Sequence, residues 1–145
     1  ISNSTVFAAI DSDLDDLIHV GTEDLKRIGT NMGRFAAGKA KKGPRLASVN
    51  LENRMVRVNF VETNGKLTSK DRINGFTIHG PNGEILPLIY KQVVDLKDQQ
   101  SVLLHLVSDP PAGSTLRYGA GKNPYCNLRD EFGFGALVFG PARLN

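Results

Sequence analysis

The chain has 145 residues, 40% of them hydrophobic and 23% charged, with a formal net charge of +3. That length holds one ordinary domain or a small domain with an appendage, and the composition is that of a water-soluble globular chain. No apolar run approaches the roughly 20 residues of a membrane-spanning helix, so no membrane partner is expected. Ile1 leads into polar residues rather than a basic segment and an apolar core, so no signal peptide is expected either. The one cysteine, Cys126, excludes an internal disulfide and a cysteine-based zinc site, and leaves the compartment open.

In chain order, Val6 to Ile10 is a short apolar run that reads as a strand buried on both faces, as in parallel sheets covered by helices. An acidic loop follows, Asp11-Ser12-Asp13-Leu14-Asp15-Asp16, and then His19. Thr22 is the expected N-cap of a helix, with Glu23 and Asp24 in its first turn where the dipole favours negative charge. Leu25, Ile28, Met32, Phe35 and Ala36 recur at helical spacing and predict one buried stripe. Gly29, Gly33 and Gly38 weaken the helix, and their expected role is close approach to a sheet. Lys39, Lys41, Lys42 and then Gly43-Pro44 end it. Those lysines account for part of the positive charge. Without a broad basic stripe interleaved with aromatics, no nucleic acid partner is expected. The strand has no parallel neighbour in this segment, so it either pairs with something outside it or joins the sheet of the second half.

Residues 1–43 therefore form a strand-loop-helix unit, and Gly43-Pro44 marks the candidate boundary to a second region, 44–145. There Leu46 to Leu51 and Met55 to Val61 flank a hairpin at Glu52-Asn53. Val56, Val58 and Phe60 alternate with Arg57 and Asn59 at the period of a half-buried strand. Asn64-Gly65 is a turn signal. Phe76 and Ile78 begin another strand, and Glu84 to Tyr90 a further one, which Pro87 places at an edge or a bulge. Val102 to Val107 is apolar on both faces, and Leu116-Arg117-Tyr118 is a last short strand. Strands at this spacing, with no second helical period, predict an antiparallel sandwich. The fold class is α+β, and the tail from Gly119 reads as irregular.

Asp16 and His19 are the sharpest chemical signal. Three residues apart in a helix-like turn, they project to one side, so a carboxylate can hold one ring nitrogen while the other faces a substrate or nucleophile. The same residues are compatible with a solvated loop and a histidine packed near the helix start. A metal site on Asp13, Asp15, Asp16 and His19 is a further reading, although the loop departs from the calcium-loop pattern of glycine at position six and glutamate at position twelve. His79 and His105 have no acidic neighbour in sequence and read as core or surface residues. Cys126 reads as an inert buried thiol. Phe132-Gly133-Phe134-Gly135 reads as packing rather than a phosphate loop. Tyr118, Tyr125 and Phe132 could make a sugar-stacking platform, but packing under a loop is the reading adopted.

The Asp16-Leu17-Ile18-His19 block, in its strand-loop-helix setting, resembles the last block of the SGNH (GDSL-type) hydrolases, Asp-x-x-His. Phe76-Thr77-Ile78 with Gly83 and Ile85 resembles a stretch of the sialate O-acetylesterase-like members. So do Leu116-Arg117-Tyr118-Gly119 and Asn123-Pro124-Tyr125-Cys126-Asn127-Leu128. The resemblance covers most of the chain, as the C-terminal part of a longer enzyme. It implies a carbohydrate O-acetylesterase working by a Ser-His-Asp triad, with Asp16 and His19 as catalytic residues, His19 as general base, and no cofactor. The implied partners are the missing N-terminal SGNH portion and an acetylated carbohydrate. An exported or periplasmic setting fits that family. The Gly-Asp-Ser block and the oxyanion-hole blocks have no counterpart here, so the chain alone is expected to be inactive. Val20, Gly119-Ala120 and Gly135-Ala136-Leu137-Val138 depart from the family pattern. The alternative is a non-catalytic interaction or carbohydrate-binding module.

Overall fold

The structure, a computed structural model, describes residues 4–144. One helix, α1 (Thr22–Ala36), precedes the strands β1 (Arg45–Glu52), β2 (Met55–Val61), β3 (Leu67–Thr68), β4 (Phe76–His79), β5 (Ile85–Leu86), β6 (Ile89–Val94), β7 (Ser101–Leu106), β8 (Thr115–Tyr118), β9 (Arg129–Asp130) and β10 (Phe139–Arg143). Two antiparallel four-stranded sheets, β1-β2-β7-β6 and β10-β8-β4-β5, are accompanied by the small pair β3-β9. The fold is α+β and dominated by antiparallel sheet.

The alternation read in β2 is realised: Val56, Val58 and Phe60 are buried, while Arg57 and Asn59 lie on the opposite, half-buried face. They meet Val102 and Leu104 of β7 and, from the other sheet, Ile78, Leu116 and Tyr118 in one apolar cluster. Each such side chain contributes roughly 1.5–3 kcal/mol by leaving water. Phe60 and Phe139 join the two sheets edge to face, with ring centres 6.4 Å apart. Pro87 interrupts the strand expected over Glu84 to Tyr90. The chain leaves one sheet after β5 and enters the other at β6, each time at an edge, where a missing N–H costs no ladder bond.

The N-terminal unit differs from its expectation. Val6 to Ile10 form no strand. The run gains no ladder partner among the described residues, and a strand is a paired object. Instead Phe7 packs against Phe35 and Phe134, at 5.5 and 6.0 Å between ring centres, and Ile10 leans on the core. Val6 stays largely in solvent while its carbonyl accepts from Arg45 at 3.0 Å.

The helix forms where expected, but Leu25 and Met32 are exposed, as is Ala36. Its inward stripe is Asp24, Arg27, Ile28, Asn31 and Phe35, with Asp24 and Asn31 the buried members. The body it meets is polar there: Arg27 and Arg34 donate to the carbonyls of Gly133 and Phe132. Gly29 and Gly33 face open space rather than a sheet. Gly38 serves the C-terminus. At φ +68°, it lets its N–H reach the Phe35 carbonyl while Lys39 N–H reaches that of Arg34, a Schellman closure. The lysines lie just beyond it.

Candidate active site

Residues 13–21 form a closed loop at the head of α1. Gly21 N–H donates to the Asp13 carbonyl at 2.8 Å, Leu14 and Val20 bridge as an antiparallel pair, and Asp15 N–H donates to the His19 carbonyl at 3.0 Å. The helix start is held from within this loop. Gly21 occupies the N-cap position without a side chain to offer, and the carboxylate of Asp15 accepts from Thr22 N–H at 3.1 Å and its hydroxyl at 3.4 Å. Thr22, expected as the cap, is the first helical residue and the one being capped.

Asp16 and His19 meet at the tip. The imidazole Nδ1 lies 2.6 Å from Asp16 Oδ2, and Asp16 Oδ1 accepts the backbone N–H groups of Ile18 and His19, each at 2.8 Å. The carboxylate facing Nδ1 favours the tautomer that carries its proton there, in which Nε2 is left as the acceptor nitrogen. Both side chains are open, 72% exposed for His19 and 54% for Asp16. The His19 ring bond, followed by the two N–H bonds, holds the Asp16 carboxyl below the usual carboxylate range. Among the described residues no three metal-ligating side chains converge, so Asp13, Asp15, Asp16 and His19 do not assemble into one centre.

Beneath the loop lies a buried charge network that nothing in the sequence pattern indicated. The side chain of Asp11 is fully enclosed. Its Oδ2 pairs with Arg129 Nε at 2.5 Å and Arg27 Nη2 at 3.0 Å, and Arg129 Nη2 also reaches the Asp11 carbonyl at 2.6 Å. Asp24 takes Arg27 Nε at 2.7 Å and Arg129 Nη2 at 3.2 Å, and its second oxygen accepts Asp13 N–H at 2.7 Å. A continuous path thus runs from β9 through Arg129 and Asp24 to the base of the loop. Burial pushes the Asp11 carboxyl up, against the pull of Arg27 and Arg129. For Asp24, burial raises, but the Asp13 N–H bond and the two arginines together outweigh it, and the carboxyl sits low.

The remaining candidates fall elsewhere. His79 is buried between Thr77 Oγ1 and the Gly83 carbonyl, both at 3.1 Å, and His105 lies beside the Tyr90 ring. Cys126 is a buried free thiol raised by its burial. Tyr118 is core, its hydroxyl accepting Leu128 N–H. Phe134 is buried, and Phe132 lies under the Arg34 guanidinium, 5.6 Å from the ring centre. Tyr125 stands in solvent.

No protein-family profile matches this sequence, and no curated protein matches it either. Among solved structures, the chain is similar to a carbohydrate acetylesterase from Xanthomonas citri, with a TM-score of 0.64 and 18% identity. The match covers 89% of this chain and 30% of that one. At that identity the likeness establishes a shared fold, and this chain spans about a third of the enzyme's length.

Proposed function

We propose that this chain is the C-terminal part of an SGNH-type carbohydrate O-acetylesterase, contributing Asp16 and His19 to a triad whose serine lies in an N-terminal portion outside it. The observation that carries the reading is the 2.6 Å contact between Asp16 and His19, which leaves Nε2 exposed and unpartnered among the described residues. Two further features support it. The solved structure that the fold resembles is an acetylesterase about three times longer. In addition, Leu14, Leu17, Ile18, Leu25 and Met32 expose apolar surface on the same loop and helix, Leu17 to 93%, which suits contact with further protein.

In this reading His19 Nε2 takes the serine proton as the serine oxygen bonds to the ester carbonyl carbon. The imidazolium then gives that proton to the departing sugar oxygen. Asp16 holds the tautomer and stabilises the imidazolium without accepting the proton. A water, deprotonated by the same nitrogen, then bonds to the acyl carbon; the serine C–O bond breaks, the imidazolium returns the proton to the serine oxygen, and acetic acid leaves.

Hydrolysis of an acetylated oligosaccharide by the chain alone and by the chain extended to include the serine-bearing portion tests this. The short chain should be inactive and the long one active, and His19→Ala should lower kcat about a thousandfold or more. Turnover by the short chain that His19→Ala abolishes contradicts the proposal, as does a long protein indifferent to that substitution.

A further inference from the structure

Tyr125 lines two clefts. One, of about 540 Å³, lies between residues 9–14 and residues 119–126; the other, of about 470 Å³, runs along Asp24, Lys70 and Arg129. Asp13 and Tyr125 line both. These sizes fall within the roughly 300–1,000 Å³ of small-molecule sites.

Tyr125 differs from the other exposed aromatic residues. Tyr90 leans on His105, and Phe132 is covered by Arg34. Tyr125 is 61% exposed, and neither its ring nor its hydroxyl has a partner among the described residues. Cys126 is buried behind it, and Asn127 is pinned by accepting Asn74 N–H at 2.8 Å and donating to the Arg72 carbonyl at 2.9 Å. Tyr125, expected from the sequence to pack under a loop, therefore presents most of its ring to water. Around it, the Asp13 carboxylate, the Asn123 amide and the Lys122 ammonium also lack partners among the described residues.

We propose that this cleft is a saccharide subsite, with Tyr125 as the platform for a pyranose ring. One face of a pyranose is made of C–H groups and stacks on an aromatic ring, while its hydroxyl edge needs paired donors and acceptors. Asp13 supplies the acceptor, Lys122 a donor, and Asn123 both. The position also suits the esterase reading, on which this inference rests for its choice of ligand. Leu14 lines the cleft and pairs with Val20, next to His19, so the subsite lies at the base of the loop that carries the acid–base pair.

Binding needs no serine, so the chain itself serves for the test. It is titrated with xylotriose and, separately, with the methyl glycoside of N-acetylneuraminic acid, followed by NMR. At least one sugar should shift the Tyr125 ring and the amides of Asp13, Lys122 and Asn123. Tyr125→Ala should weaken that binding about tenfold or more, and Tyr125→Trp should keep it. Shifts confined to other residues, or none with either sugar, overturn the subsite. Its failure and that of the esterase reading are separable. Hydrolysis by the extended protein without sugar binding here rejects the subsite alone, and binding without hydrolysis rejects the esterase alone.

Discussion

Asp16 and Asp130 are the same residue type, each accepting several N–H groups, in opposite settings. Asp16 stands in solvent at a loop tip, and all its partners lie within three residues. Asp130 is buried on β9. One of its oxygens accepts the backbone and side-chain N–H groups of Asn64, each at 2.9 Å, and the other those of Phe132 and Phe134, each at 3.0 Å. The difference lies in what water can replace. At Asp16 solvent takes over any bond that is lost. At Asp130 no solvent arrives, and the carboxylate fastens the connection between β2 and β3 to the tail.

Truncating each carboxylate should expose that contrast most strongly. Asp130→Ala orphans buried N–H groups of Asn64 and Phe134 and a half-buried one of Phe132, and should cost about 3–5 kcal/mol of unfolding free energy by urea titration. Asp16→Ala should lower the urea midpoint only slightly, because solvent replaces most of what its local bonds contribute. Equal losses would mean that the loop is as integral to the fold as the tail is.

The glycines sharpen the same comparison. A methyl group at Gly135 would clash with Asp11 Oδ1, part of an enclosed carboxylate whose other oxygen is held by two arginines, with nowhere to retreat. Gly135→Ala should therefore cost about 1–3 kcal/mol. A methyl at Gly29 in α1 meets nothing, so Gly29→Ala should stabilise this chain by roughly 0.5–1 kcal/mol through helix propensity alone. Thermal unfolding of the two variants reads both signs.

The sequence range of the partners also explains what could be read in advance. The Asp16–His19 pair, α1 and the β1–β2 hairpin are set by residues within a few positions of one another, and each is legible. The hairpin turn falls one residue later than expected, on Asn53-Arg54, both at positive φ. Arg129 finds Asp11 across 118 positions and Asp130 finds Asn64 across 66, and no periodicity encodes either. β10 was hidden because Gly140 and Pro141 interrupt it, with a register shift between Phe139 and Ala142. The misread strand at Val6 to Ile10 is the converse. Local apolar composition suggested a ladder that needed a distant neighbour to exist.

That turn gives a smaller effect. Positive φ at both central positions, 50° and 59°, is the primed geometry that matches strand twist, and Asn-Gly fills it without a Cβ clash at the second residue. Arg54→Gly should raise stability by about 0.5–1 kcal/mol. The Arg54–Asp109 contact it removes is 3.6 Å long and open to solvent, so little offsets the gain. A loss would show that the exposed ion pair outweighs backbone strain.

The smallest effect is in acid, and there the two kinds of aspartate should oppose each other in sign. Asp16's carboxyl is lower in the folded chain than the ordinary 3.8, so the stability it adds is present above that value and disappears as pH falls through its folded pKa. Asp11's is raised by burial, so the folded chain binds its proton more tightly than the unfolded one. It therefore lowers stability above its folded pKa, and that penalty is relieved as pH falls to 3.8 and below. Urea unfolding between about pH 5 and pH 2 should accordingly show a shallower acid loss in Asp16→Asn and a steeper one in Asp11→Asn than in the parent. Added salt should shrink the first difference, because His19 and Asp16 meet in solvent, and spare the second, because Asp11 is sealed beneath Arg129. If both variants shift the slope the same way, the enclosed network is not tuning Asp11 by burial, and the division between an open, local aspartate and a closed, distant one fails at its electrostatic core.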